Sequence, residues 1–253
     1  MFNFRDNFLS HIPPVTRNLL IINVIIWLAY MLLLRNGTDV GRILALHFPA
    51  SANFNVLQPV TYMFMHGGFW HLFLNMFALY MFGQTLERMW GSRHFLTFYF
   101  VCGLGAAFIQ LIVIFIRIQI VEANMSPDLI AMVYAEGTDA MNRGMRFVND
   151  AAHTLNMLIN RPMVGASGAI FGILLAFTLL FPDTPLYIMF IPIPIKAKYL
   201  LAGTVVLSLF FGIANFPGDR IAHFAHLGGM ISGYLMMLYW RQKYRQRHYE
   251  QHY

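Results

Sequence analysis

Residues 164–181 read VGASGAIFGILLAFTLLF, a run without a single charge. A bilayer core about 30 Å thick needs roughly 17–25 apolar residues in a helix, so this run is long enough to cross one. Lipid offers nothing to an unpaired backbone N–H or C=O, and a lone strand would leave an open edge, so the run is read as a transmembrane helix. It is not uniformly apolar. Gly165, Ala166, Gly168, Ala169 and Gly172 crowd its first half and make a small-residue face on which another helix can lie closely. Ser167 stands at the very start, where unpaired N–H groups and the positive end of the helix dipole can stabilise a developing oxyanion. A serine in such a run is commonly no more than a small residue, and only its position singles it out.

Working outward, five further runs of spanning length appear: Leu19 to Leu34 (extended back to Val15), Val60 to Phe82, Phe95 to Ile116, Tyr199 to Phe216 and Ala222 to Trp240. Prolines punctuate the joints: Pro13 and Pro14 before the first run, Pro182 and Pro185 after the fourth, Pro192 and Pro194 before the fifth, Pro217-Gly218 before the sixth. The expected fold is an all-α integral membrane protein, a six-helix bundle. Residues 1–18 form an N-terminal segment, 19–240 the core, and 241–253 a basic tail. Within the core, residues 117–163 carry Glu122, Asp128, Glu136, Asp139 and Asp150 beside several arginines. That stretch is too polar to span and is expected outside the membrane with some helix. The first run starts late and is followed by Arg35-Asn36-Gly37, not by a small-residue cleavage site, so it is read as a retained helix.

The composition agrees. Hydrophobic residues make up 58% of the 253 and charged residues 11%, against roughly 45–50% and about 25% in soluble domains. One cysteine, Cys102, excludes an intrachain disulfide framework and a cysteine-based zinc cage. The net charge of +6 would suit nucleic acid, but Arg241, Lys243, Arg245 and Arg247 directly follow an apolar run, the placement of a cytoplasmic membrane flank, and no nucleic-acid partner is expected. With the N-terminus inside, the inner set of basic residues is Arg5, Arg17, Arg88, Arg93, Lys196, Lys198 and those four; the outer set is Arg35, Arg42, Arg117, Arg143, Arg146, Arg161 and Arg220. The excess inside places both termini in the cytoplasm.

Polar residues inside the spans are costly and mark function by default. The second run holds His66, His71 and Asn75, with His71 and Asn75 one turn apart on one face. In the sixth, Gly229 and Gly233 form a bare stripe, and His226 lies three and seven positions before them on the same face. If that stripe meets the Gly-rich start of the fourth span, His226 touches Ser167. The alternative is that these side chains only hydrogen-bond neighbouring helices.

His66-x4-His71-x3-Asn75, Gly165-Ala166-Ser167-Gly168, Ala225-His226-Leu227-Gly228-Gly229-x3-Gly233 and the stretch Gly83-x3-Glu87-x3-Gly91-Ser92-x2-Phe95-Leu96-x2-Tyr99 together resemble a rhomboid intramembrane serine protease over about residues 15 to 240. The resemblance implies Ser167 as nucleophile and His226 as general base, a dyad without an acid. His71, Asn75 and the Ser167 N–H would form the oxyanion hole, with His66 near the cavity mouth. Phe171 stands where relatives often stack a tyrosine on the base, so the ring is kept and its hydroxyl is absent. The first loop, Arg35 to Pro59, lacks the Trp-Arg pair of several bacterial relatives. The implied substrates are single-span or multi-span membrane proteins in the bilayer, cut near helix ends or at helix-destabilising Gly or Pro, with no cofactor.

Other functions fit less well. His66, His71, His223 and His226 are the one cluster that could suggest a metal or haem, but their spacings are not the i, i+4 pairing of a helix-borne zinc site and no intramembrane carboxylate accompanies them, so no metal is expected. A transporter would want a charged pathway through the spans. The nearest rival is a non-catalytic rhomboid-like protein that binds transmembrane segments, a kind that usually lacks the serine or the histidine.

Overall fold

The computed structural model describes residues 11–187, 193–214 and 222–250, with side chains through Arg245. Arg5, Pro192, Pro217, Gly218 and Arg220 lie outside the described residues, as does the Arg247 side chain. The fold is an all-α membrane bundle. Helix α1 is Pro14–Arg35. Helix α2 is α-helical over Phe69–Ala78, passes through a π-helical stretch at Leu79–Gly83 and continues through Gln84–Trp90. Then come α3 (Ser92–Glu122), α4 (Pro127–Asn142), α5 (Asp150–Asn160), α6 (Ser167–Leu180), α7 (Ala197–Ala214) and α8 (His223–Glu250). Between α6 and α7 lies a small antiparallel pair, β1 (Pro185–Tyr187) and β2 (Pro194–Lys196), with Leu186 opposite Ile195.

By length and composition α1, α3 and α7 can each cross a membrane, and only 11% of the most apolar window of α1 and of α7 is buried within the protein. Their outward Ile, Leu, Val and Phe side chains are left for lipid. The inner helices α6 and α8 instead meet each other and α3 through small residues. A Cβ on Gly229 would collide with the Gly168 carbonyl oxygen, one on Gly172 would lie 2.9 Å from the Gly229 oxygen, and one on Gly233 would sit 3.0 Å from Phe98 and 3.1 Å from Cys102 Sγ. Those glycines set the helix spacing, because in lipid close packing rather than water exclusion drives association.

The second span departs from the apolar run. Gln58–Thr61 and Tyr62–Phe64 form two short helical turns, and Met65 and Gly68 are extended. The spanning helix begins only at Phe69 and runs on past Phe82 to Trp90, where Gly91 breaks it at φ +78°. The polar extension is stabilised by Glu87, buried at 2% exposure. Its carboxylate accepts the Val15 and Thr16 backbone N–H groups at 2.9 and 2.7 Å and the Thr16 and Ser92 hydroxyls at 2.8 Å each. Pro13 offers no capping side chain to α1, so an anion from another helix satisfies two of its orphan donors and faces its positive end.

Helix α3, at 31 residues, is about 46 Å long and overshoots a 30 Å core. Its overhang carries Ile114, Ile118 and Val121, which join Val133, Ala152, Leu155, Ile159 and Phe48 in a second apolar cluster. The polar 117–163 stretch is therefore not a loose loop: it completes α3 and then forms α4 and α5 as a folded insert. Helix α8 likewise does not stop at Trp240 but carries the basic tail on as helix to Glu250.

Candidate active site

Along α2, α6 and α8 the contacts advance in the same direction, from Gly165 against His71 to Phe177 against Phe82 and from Gly168 against Gly229 to Gly172 against Gly233. The first turns of all three therefore meet at one end of the bundle. Ser167 is the first residue of α6 and His226 the fourth of α8. Ser167 Oγ and His226 Nε2 lie 3.0 Å apart, within hydrogen-bond distance. Phe171, one turn along α6, stacks flat on the imidazole, with ring centroids 4.0 Å apart and planes within 7°. That stacking restricts the ring to the plane that points Nε2 at the serine. The approach itself is possible because Gly229, one turn after His226, lies against the Gly168 backbone.

The turn leading into α6 is held from two sides. Leu46 and Met163 exchange backbone hydrogen bonds of 2.9 and 2.8 Å, and the Gly165 N–H donates to the Tyr62 carbonyl at 2.9 Å. Tyr62 is in turn fixed by its hydroxyl, which donates to the Gly103 carbonyl at 2.6 Å. Gly165 adopts φ +128°, and a Cβ there would lie 2.8 Å from His71 Nε2 and 3.5 Å from Ser167 Oγ. Only glycine suits that backbone and leaves the His71 ring beside the serine.

His71 is in the first turn of α2, and Asn75 follows one turn later, buried at 6% exposure. Asn75 Nδ2 finds no acceptor among the described residues. A buried amide donor without a partner is expensive to maintain and calls for a ligand oxygen or a water. His66, expected on the second span and near a cavity mouth, precedes that helix and is buried at 1% exposure, its ring edge-on to His71 with centroids 5.1 Å apart. His223 lies 6.2 Å from His226 ring to ring and stacks on Phe211 at 5.6 Å.

Ser167, His226, His71, Asn75, Phe171 and Gly229 thus lie around one end of the α2, α6 and α8 cluster, whereas Gly233, two turns beyond His226, packs deeper in the bundle against Phe98, Cys102 and Gly172. Ser167, His71 and His226 are each partly accessible, and Asn75 and Gly165 are buried. Such a set can deprotonate a hydroxyl and offer donors to an oxyanion. Sequence reasoning did not single out Tyr62, Leu46 or Met163, because backbone-mediated contacts between distant segments leave no residue-type signature. The positive φ of Gly165 was legible only as one glycine among several.

The sequence pattern described as the Rhomboid domain matches residues 53–243. RHOMBOID-like protein 12, mitochondrial, of Arabidopsis thaliana is 30% identical over 172 residues, 67% of this chain and 42% of that protein. Rhomboid protein 1, mitochondrial, of Saccharomyces cerevisiae (strain ATCC 204508 / S288c) is 28% identical over 172 residues, 68% of this chain and 38% of that protein. The chain spans less than half the length of either relative.

Proposed function

This chain belongs to the rhomboid family, and we propose that it is an intramembrane serine endopeptidase that cuts transmembrane-helix substrates with Ser167 as nucleophile and His226 as general base. The observation that carries this reading is the 3.0 Å Ser167–His226 pair beneath a stacked Phe171. A neutral His226 Nε2 takes the Ser167 proton as Oγ attacks the scissile carbonyl carbon, and returns it to the leaving amine. The tetrahedral oxygen then draws on the Ser167 N–H at the α6 N-terminus, on His71 and on Asn75, whose amide is free to donate. Water hydrolyses the acyl-enzyme with His226 again as base.

Depth supports the same reading. Helix α6 has 14 residues and rises about 21 Å, some 9 Å short of a 30 Å core. With its C-terminus at one surface, Ser167 lies below the other, beside His226 and His71. A regular substrate helix hides its carbonyls, so cleavage falls near a helix end or at Gly or Pro where backbone unwinds. On the positive-inside count both termini lie in the cytoplasm and the Ser167 end faces away from it.

Purified protein in detergent, incubated with a single-span substrate, should yield fragments with a defined new N-terminus, and a fluorophosphonate should label Ser167. Ser167→Ala should lose both. Labelling that persists in Ser167→Ala removes this serine from the role, and a wild type that binds substrate but neither cuts nor labels is the non-catalytic alternative.

A further inference from the structure

The α4–α5 insert ends at Asn160, seven residues before Ser167, and Asn160 is buried at 2% exposure. Its Oδ1 accepts the Ser51 hydroxyl at 2.7 Å and the Thr138 hydroxyl at 2.8 Å, and its Nδ2 donates to Asn156 Oδ1 at 2.7 Å. Ser51 belongs to the first loop, Thr138 to α4 and Asn156 to α5, so one amide joins three segments. Around it Asn53 Nδ2 donates to Asn142 Oδ1 at 3.2 Å, and the Arg42 guanidinium donates to the Asn142 carbonyl at 3.1 Å. Gly137 is bare where this cluster packs: a Cβ there would collide with Asn156 Oδ1 and sit 3.1 Å from Asn160 Nδ2.

We infer that Asn160 is a positioning residue: by locking the insert to the first loop it fixes the turn that presents Ser167. Only six residues separate Asn160 from Ser167, and that short link is held at Met163 by Leu46 of the same first loop and at Gly165 by Tyr62. Releasing Ser51 from Asn160 frees the loop and the insert to shift against each other, and the segment between them carries the shift to Gly165, whose backbone borders both His71 and Ser167. A buried network of this kind gives one arrangement rather than many when every member is satisfied, which is the property a nucleophile turn needs.

The reactivity part of this inference rests on the proposed protease function; the structural part does not, and the experiment separates them. Amide hydrogen exchange over residues 161–167 and the rate of fluorophosphonate labelling at Ser167 are measured for wild type, Asn160→Ala, Ser51→Ala and the double variant. Exchange at Met163 and Gly165 should quicken in each variant while α6 stays protected. Labelling should slow by roughly 10- to 100-fold, the scale of an ångström-level misplacement, yet reach the wild-type endpoint. The double variant should be little slower than Asn160→Ala, because the Ser51–Asn160 bond is already lost in that variant. Unchanged exchange at 161–167, a uniform loss of protection across the bundle, or a lower endpoint at unchanged rate would overturn the inference, the last two being marks of a merely structural role. If Asn160→Ala fails to fold, Ser51→Ala, which leaves the insert's own hydrogen bonds intact, decides the same question. A wild type that never labels refutes the protease reading, and the exchange arm still decides the positioning.

Discussion

His223 and His226 stand three residues apart on α8; the spacing to Gly229 and Gly233 singles out His226, and the contacts of the two rings differ in the same sense. His226 reaches Ser167 Oγ at 3.0 Å under Phe171, whereas His223 stacks on Phe211 of α7. A base must lie within about 3 Å of the proton it takes. At matched expression, His226→Ala is expected to abolish proteolysis and His223→Ala to keep most of it; the reverse would place the base one turn away. Asn75 makes a graded case. Loss of one oxyanion donor costs about 2.7–4 kcal/mol, roughly 10²–10³ in turnover. Asn75 Nδ2 has no acceptor to lose among the described residues, so Asn75→Ala is expected to cut that much more slowly with its thermal midpoint nearly unchanged. Turnover equal to wild type would take Asn75 out of the oxyanion hole.

Between helices, glycine decides where side chains end up. His226 meets Ser167 because α6 and α8 touch backbone to backbone at Gly168 and Gly229. A methyl at Gly229 meets a carbonyl oxygen, which cannot swing aside as a flexible side chain can. Gly229→Ala is therefore expected to separate the helices, lowering stability by about 1–3 kcal/mol as overpacking does and turnover by up to roughly 100-fold through misplacement. Gly203 on α7 has nothing within 4 Å of an added Cβ. Gly203→Ala, read beside it by thermal unfolding and substrate cleavage, should be neutral or slightly stabilising, since alanine is the better helix former by about 1 kcal/mol. Equal losses from both substitutions would mean that helix contact at Gly229 is not what matters.

Over the whole molecule, two ends differ in kind. One gathers Ser167, His71, His226, the first loop and the insert. The other gathers Glu87 with α1's N-terminus, the β1–β2 pair and an aromatic cluster of Trp90, His94, Phe98 and Trp240 at the base of the basic tail. Indole rings suit a membrane–water interface, and lysine and arginine beyond them suit the cytoplasmic leaflet. Cys102 is buried, so single introduced cysteines report cleanly on sidedness. In sealed vesicles a membrane-impermeant maleimide should reach Val148→Cys, fully exposed beside the insert, from one face only and Gln242→Cys from the other. Labelling of both from the same face would overturn the expected six-span topology.

The amino-acid sequence by itself determined the membrane class, the approximate spans and the residues with chemistry to offer. Apolar length is a one-dimensional property, and polar residues such as His71, Asn75 and His226 stand out against it. It could not locate the second helix, whose apolar run from Val60 splits at Gly67-Gly68 and whose polar end carries the buried Glu87 that accepts donors from α1. Nor could it show that residues 117–163 fold onto an overhang of α3, since Ile118, Leu155 and Phe48 join one apolar cluster only in three dimensions. The tertiary structure alone decided the 3.0 Å meeting of Ser167 and His226, the turn at Gly165 pinned to Tyr62, and the Asn160 amide that joins insert to loop. Each is a contact between segments distant along the chain, fixed by how closely helices pack, and composition and spacing do not encode packing distance.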